Sequence, residues 1–196
     1  EVFHPTPIRA LPAPDPGDLF FDFEGDPLWS EPGSPRRGLE YLFGVLEAPA
    51  GPAPPAYRAF WAHDRTAERQ ALVDFVGYVR ERRRRHPGMH IYHYADYERS
   101  RLLSLAARYG VCEAAIDDLL RDGVLVDLYA VVRASVRVSQ DSYSIKKLEP
   151  LYMGSDLREG VATAGESIVV YHEFAQARLE GRTDQAAALL ESIRSY

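Results

Sequence analysis

A single cysteine, Cys112, stands in the 196 residues of this chain. An internal disulfide is excluded, and a reducing, cytoplasmic setting is the expectation. Long apolar runs are missing too. Nothing approaches the roughly 20 residues of a membrane-spanning helix, and the N-terminus does not read as a signal peptide, so no membrane partner is expected. Positive charge is not in excess either: 23 Lys and Arg against 29 Asp and Glu leave a formal net charge of −6. That argues against a generally basic nucleic-acid coat. It leaves a polyanionic substrate open, because a bound cation supplies charge that formal counting omits. There is no internal repeat and no second domain, and the length suits one domain with a substantial core.

The stretch around which the rest is organised is Asp18 to Asp26, DLFFDFEGD. Its apolar continuity, closed by Gly25-Asp26-Pro27, predicts a short buried strand. Side chains alternate along a strand, so Leu19, Phe21 and Phe23 share one face while Phe20, Asp22 and Glu24 share the other. Two carboxylates on one face of an apolar strand repel each other and resist desolvation. No basic residue lies nearby before Arg36 to offset them. Two readings are open: a solvated strand end, or a site for a divalent cation.

Residues 1–17 are proline-rich and read as a linker. Tyr41 to Ala48 and Tyr57 to Ala62 predict two further strands, which with the first make a three-strand antiparallel meander. From Thr66 to His86 the period becomes helical, with Leu72, Phe75, Val76 and Val79 facing inward. Asp64 or Thr66 caps its start and Pro87-Gly88 stops it. Arg82 to Arg85 in its last turn read as a solvated end complementing the helix dipole, with phosphate tracking as the alternative. His90 to Ala95 is a fourth strand, parallel to the first after the helical crossover. A helix over Asp96 to Gly110 buries Leu102, Leu103, Ala106 and Tyr109. Short helices are expected at Glu113 to Arg121 and Ser142 to Met153, and longer ones over 165–181 and 184–196. Val124 to Tyr129 is either a strand or the entry to a helix. The class is α/β with a mixed sheet flanked by helices.

Metal-dependent phosphodiester hydrolysis needs carboxylates converging from different elements, with one ion activating water and another stabilising the leaving oxygen. Asp22 and Glu24 supply a pair. Two candidates for a third follow the fourth strand: Asp96, better explained as an N-cap, and Glu98 in the first helical turn, which is preferred. His90 and His93 fall on opposite faces of their strand and cannot chelate one ion together. Cys112 reads as a buried small residue. Tyr92, Tyr94, Tyr97 and Tyr143 can stack on unpaired bases, although core packing serves most of them equally well.

The ordered set Asp22-Phe-Glu24, His93 to Glu98, Val126 to Tyr129 and Ser142 to Lys146 resembles the YprB-type RNase H-like nuclease domain. That domain is grouped with the DnaQ-like (DEDD) 3′–5′ exonucleases. More narrowly, the set resembles the RecB-like nuclease domain that bacterial proteins carry ahead of a superfamily 1 helicase. The resemblance runs from Asp18 to Tyr196. It implies an RNase H-like fold, a site for two Mg²⁺ or Mn²⁺ ions held by Asp22, Glu24 and Glu98, and nucleic acid, DNA before RNA, as the partner. Glu98 stands where the family usually has Asp and reaches one methylene further. Asp127 matches a later acidic position with an outer-shell or structural role. His93 packs or faces substrate, and Lys146, with Lys147, contacts phosphate or is plain surface.

Tyr196, on one helical stripe with Leu189 and Ile193, fits the tyrosine of the family's third motif and would orient the attacking water. The Asp expected four positions later would lie beyond Tyr196. Residues 18–196 are thus expected to be a nuclease domain cut within that motif, part of a larger nuclease–helicase polypeptide of DNA repair. The implied activity is 3′–5′ exonucleolytic hydrolysis of DNA. The alternatives are a catalytically degenerate nucleic-acid-binding scaffold and an RNase H-like endonuclease on RNA or hybrids.

Overall fold

The computed structural model describes residues 1–48, 54–153 and 164–194. Its elements in chain order are α1 (Thr6–Arg9), β1 (Leu19–Ser30), β2 (Arg37–Glu47), β3 (Ala56–Trp61), α2 (Arg65–Arg85), β4 (Ile91–His93), α3 (Tyr97–Tyr109), α4 (Glu113–Arg121), β5 (Leu125–Asp127), α5 (Leu128–Ser135), α6 (Ile145–Tyr152), α7 (Ala164–Leu179) and α8 (Thr183–Arg194). The five strands form one mixed sheet in the order β3-β2-β1-β4-β5. β1, β2 and β3 pair antiparallel as a meander, while β4 pairs parallel to β1 and β5 parallel to β4. The parallel pairing follows from the long helical crossover through α2. Both readings of Val124 to Tyr129 hold in succession, since β5 turns directly into α5.

The alternation in β1 divides the molecule into two layers. Leu19, Phe21 and Phe23 join Phe43, Val45 and Ile91 against Leu72, Phe75, Val76 and Val79 of α2, Leu102 and Leu105 of α3, and Ile116 and Leu119 of α4. Phe21 stacks on Phe75 with ring centroids 4.4 Å apart. Each such buried side chain contributes about 1.5–3 kcal/mol. A second cluster covers part of the other face, where Tyr41 and Leu42 meet Tyr171, Phe174 and Ala177 of α7 with Ala186 and Ile193 of α8.

Several local expectations change. β1 does not stop at Gly25 but continues through Pro27 to Ser30. β4 pairs only with Leu19 and Phe20, so Pro27 removes no ladder bond on that side. Leu103 is exposed, and Leu105 takes the inward place in α3. The run Arg82 to Arg85 is not uniformly solvated. Arg82 is buried, donating from Nε to Gly17 O at 2.7 Å and from its guanidinium to Glu47 at 2.7 Å and Pro16 O at 3.2 Å. Arg83 pairs instead with Asp122, and Arg84 and Arg85 with Glu81. Within residues 1–17, α1 lies against α5, and Val2 bridges to Val136.

Candidate active site

The site follows from register. Glu24 pairs with Leu42 but Gly25 pairs with Glu40, which leaves Tyr41 as an extra residue in β2. Such a bulge turns two consecutive side chains of one strand to the same side. Tyr41 thus joins Leu42 in the second cluster, and its hydroxyl reaches Glu24 Oε2 at 3.5 Å and Ser167 Oγ at 2.6 Å. Burial raises the Tyr41 phenol far above its ordinary value, with the negative charge of Glu24 adding to the effect. It stays protonated, and it can donate.

One rung along β1, Asp22 opens onto a cleft of about 370 Å³ on the sheet face opposite α2. Its carboxyl meets that of Glu98, close enough for the two to share a hydrogen bond, with the charge of Glu24 nearby. Desolvation comes first, then the Glu98 contact, and together they raise the Asp22 carboxyl above the usual carboxylate range. Glu98 itself is buried, and its Oε2 has no hydrogen-bond donor among the described residues. His93 Nδ1 lies 3.5 Å from that oxygen but points its proton at Ala95 O, 2.7 Å away. Burial opposes the imidazolium, but the Glu98 carboxylate, the Ala95 carbonyl and Asp127 outweigh it and raise the His93 pKa.

Glu98 is held there by the turn that precedes α3. Ala95 adopts a left-handed φ of 75°, unusual for a residue with a Cβ. Its N–H donates to Asp127 Oδ1 at 2.9 Å, the same oxygen that caps α5 by accepting from Tyr129 N at 2.9 Å. Asp127 thereby ties β5 to the entry of α3. Asp96 occupies the N-cap position without capping: its side chain accepts from Ser100 Oγ and none of it reaches a backbone N–H. Its carboxyl faces solvent.

Lys146 lines the cleft, whereas Lys147 pairs with Asp141 at 3.5 Å. Tyr196 lies outside the described residues. Cys112 is half-buried in a left-handed conformation before α4. Of the four tyrosines weighed for stacking, Tyr92 lies beside Phe20, centroids 5.5 Å apart, and lines the cleft with Tyr94. Tyr97 donates to Glu40, and Tyr143 to Val136 O.

The donor set of Asp22, Glu98 and Glu24 is all carboxylate oxygen, the chemistry suited to Mg²⁺ or Mn²⁺. An unpartnered oxygen of Glu98 beside a second carboxyl is what a hard cation would satisfy. Among the described residues, however, no three His, Cys, Asp or Glu side chains are grouped closely enough to hold an ion as they stand. Two carboxyls meet; Glu24 stands next to them, drawn toward Tyr41.

Tyr57 was not legible as a site residue. Its phenol lines the cleft and feels the charges of Asp22 and Glu24, which add to desolvation in pushing it up to about 12. The alternation in YRAFWA places Tyr57 on one face of β3, but only the pairing of β3 with β2 reveals which face that is.

A mixed five-strand sheet flanked by helices, with carboxyls from its central strand and the next crossover helix meeting over one face, defines an RNase H-like α/β domain. Residues 19–196 match the RNase_H_2 model of the RNase H superfamily, and the chain belongs to that superfamily. It is a nuclease-like domain of the phosphodiester-hydrolase class. No curated protein and no solved structure matches the chain significantly.

Proposed function

We propose that this domain is a metal-dependent nuclease that shortens DNA from the 3′ end, a DEDD-type module of a YprB- or RecB-like nuclease–helicase polypeptide acting in the bacterial cytoplasm. The observation that carries the reading is the meeting of Asp22 and Glu98 with one Glu98 oxygen lacking a donor. The ordered acidic motifs described above support the exonuclease assignment, and the family resemblance they carry supports the preference for DNA.

Asp22, Glu24 and Glu98 would hold Mg²⁺ or Mn²⁺, which supplies an acidified water and stabilises the departing oxygen. Asp22 would bind as its carboxylate, and Glu98 provides the buried partner. Asp127 and His93 keep Glu98 in place, Lys146 meets the phosphate backbone, and Tyr196 orients the water. Residues 1–17 act as a lead-in to the catalytic domain of residues 18–196.

The test uses 5′- and 3′-labelled single strands, duplex DNA and RNA–DNA hybrids with Mn²⁺. Stepwise shortening from the 3′ end is expected, reduced at least about 100-fold by Asp22→Ala, comparable to the loss of one electrostatic catalytic group. Internal cuts in RNA or hybrid would favour the endonuclease instead. The want of a third converging donor among the described residues favours a second reading, a nucleic-acid-binding domain without catalysis. Binding with no cleavage in either variant would establish that one.

A further inference from the structure

Register aligns one side chain per strand across the floor of the cleft. Tyr57 pairs with Leu46, Leu46 with Phe20, and Phe20 with Tyr92. The next row toward the carboxyls runs Ala59, Gly44, Asp22. Diagonal cross-strand neighbours lie within reach of an aromatic side chain, and a small residue between them lets the ring lie flat against the sheet. Gly44 is that residue. A Cβ built on Gly44 would stand 2.7 Å from the Tyr57 hydroxyl oxygen, closer than real Cβ contacts allow, but 3.5 Å from Cζ, an ordinary contact. The phenol therefore lies across the bare backbone of Gly44, the residue paired with Asp22.

Its hydroxyl has no hydrogen-bond partner among the described residues, and Tyr57 is 38% exposed. The phenol lines the cleft that Asp22 and Glu24 also line. The neighbouring Arg194 offers positive potential on the same side. A phosphate oxygen beside the phenol would use the hydroxyl where a cation held by the carboxyls offsets their charge, with Arg194, paired to Glu191, nearby.

We propose that Tyr57 is a substrate-contacting residue of this site, its phenol donating a hydrogen bond to a non-bridging oxygen of the phosphodiester, with Gly44 present to let it lie there. The inference rests on the nuclease reading. A phenol, with an ordinary pKa near 10, is a donor here and not a base.

The experiment measures Mn²⁺-dependent cleavage of a labelled single strand by the wild type, Tyr57→Phe, Gly44→Ala and the double variant, with Asp22→Ala as reference. Tyr57→Phe is expected to lose about 10–100-fold in kcat, as for one donor to a charged oxygen. Its melting temperature should match the wild type, since the hydroxyl has no protein partner to lose. Gly44→Ala should lose a similar factor by displacing the ring. In the Tyr57→Phe background, where the colliding oxygen is gone, Gly44→Ala should cost no more than about twofold, so that the two losses are not additive. Wild-type cleavage abolished by Asp22→Ala but within twofold for Tyr57→Phe would overturn the proposal and leave the nuclease reading standing. Additive losses would equally overturn it, as effects of Gly44 on the sheet alone. Absence of any Asp22-dependent cleavage would overturn both.

Discussion

Asp127 uses one oxygen to fasten three backbone N–H groups, those of Ala95, Tyr129 and Ala130. The left-handed turn at Ala95 costs on the order of 1–2 kcal/mol, and this contact holds it. Asp127→Ala removes a helix cap and that tether together, so a loss of about 2 kcal/mol in urea unfolding is expected, with reduced cleavage. Asp127→Asn keeps an acceptor in place and should retain both stability and activity. Equal inactivity of the Asn and Ala variants at preserved stability would instead assign Asp127 to the metal. The sequence shows an acid at this position but not its role, because the role depends on which backbone group lies opposite. Glu98 was more legible. It lies on the stripe of Leu102, Leu105 and Tyr109 at helical spacing, the side that packs inward, and Asp96 does not.

At the scale of elements, the opening strand could be read with its faces assigned because a period of two needs no partner. The crossover fixed the direction of β4 for a similar reason. The bulge at Tyr41 and the place of Tyr57 over Gly44 could not be read, since both are properties of pairing. Arg82 shows the same limit. Four consecutive arginines look alike in sequence, and only the approach of Pro16 and Gly17 separates the first from the others. Arg82→Ala strands two carbonyls and takes a partner from Glu47, which keeps Tyr78 and Arg58. A loss of about 2 kcal/mol in chemical denaturation is expected, against a change within about 0.5 kcal/mol for Arg83→Ala.

Across the whole molecule, the α7–α8 pair covers the second sheet face through a column of rings. Tyr171 stacks on Tyr41 at 3.8 Å and donates to Ala62 O while accepting from His63 Nδ1. Desolvation, with Arg178 nearby and Asp64 opposing it, lowers the His63 pKa to about 4 from an ordinary 6.5. The unfolded chain thus binds more protons between those values, and stability falls as pH drops from 6.5 toward 4. Discounted for partial exposure, this amounts to about 1 kcal/mol. Thermal melts at pH 7.5 and pH 5 should show a larger decrease for the wild type than for His63→Gln. An equal decrease would place the acid sensitivity elsewhere. On the reverse side, Glu40 rests its carboxylate where a Cβ on Gly25 would stand, 2.2 Å from Oε2, and is gripped there by Arg101 and Tyr97 of α3. The helix that delivers Glu98 to one surface of the sheet is thereby anchored through the other. A side chain added at Gly25, however remote from substrate, would have to displace the Glu40 carboxylate from its grip on that helix.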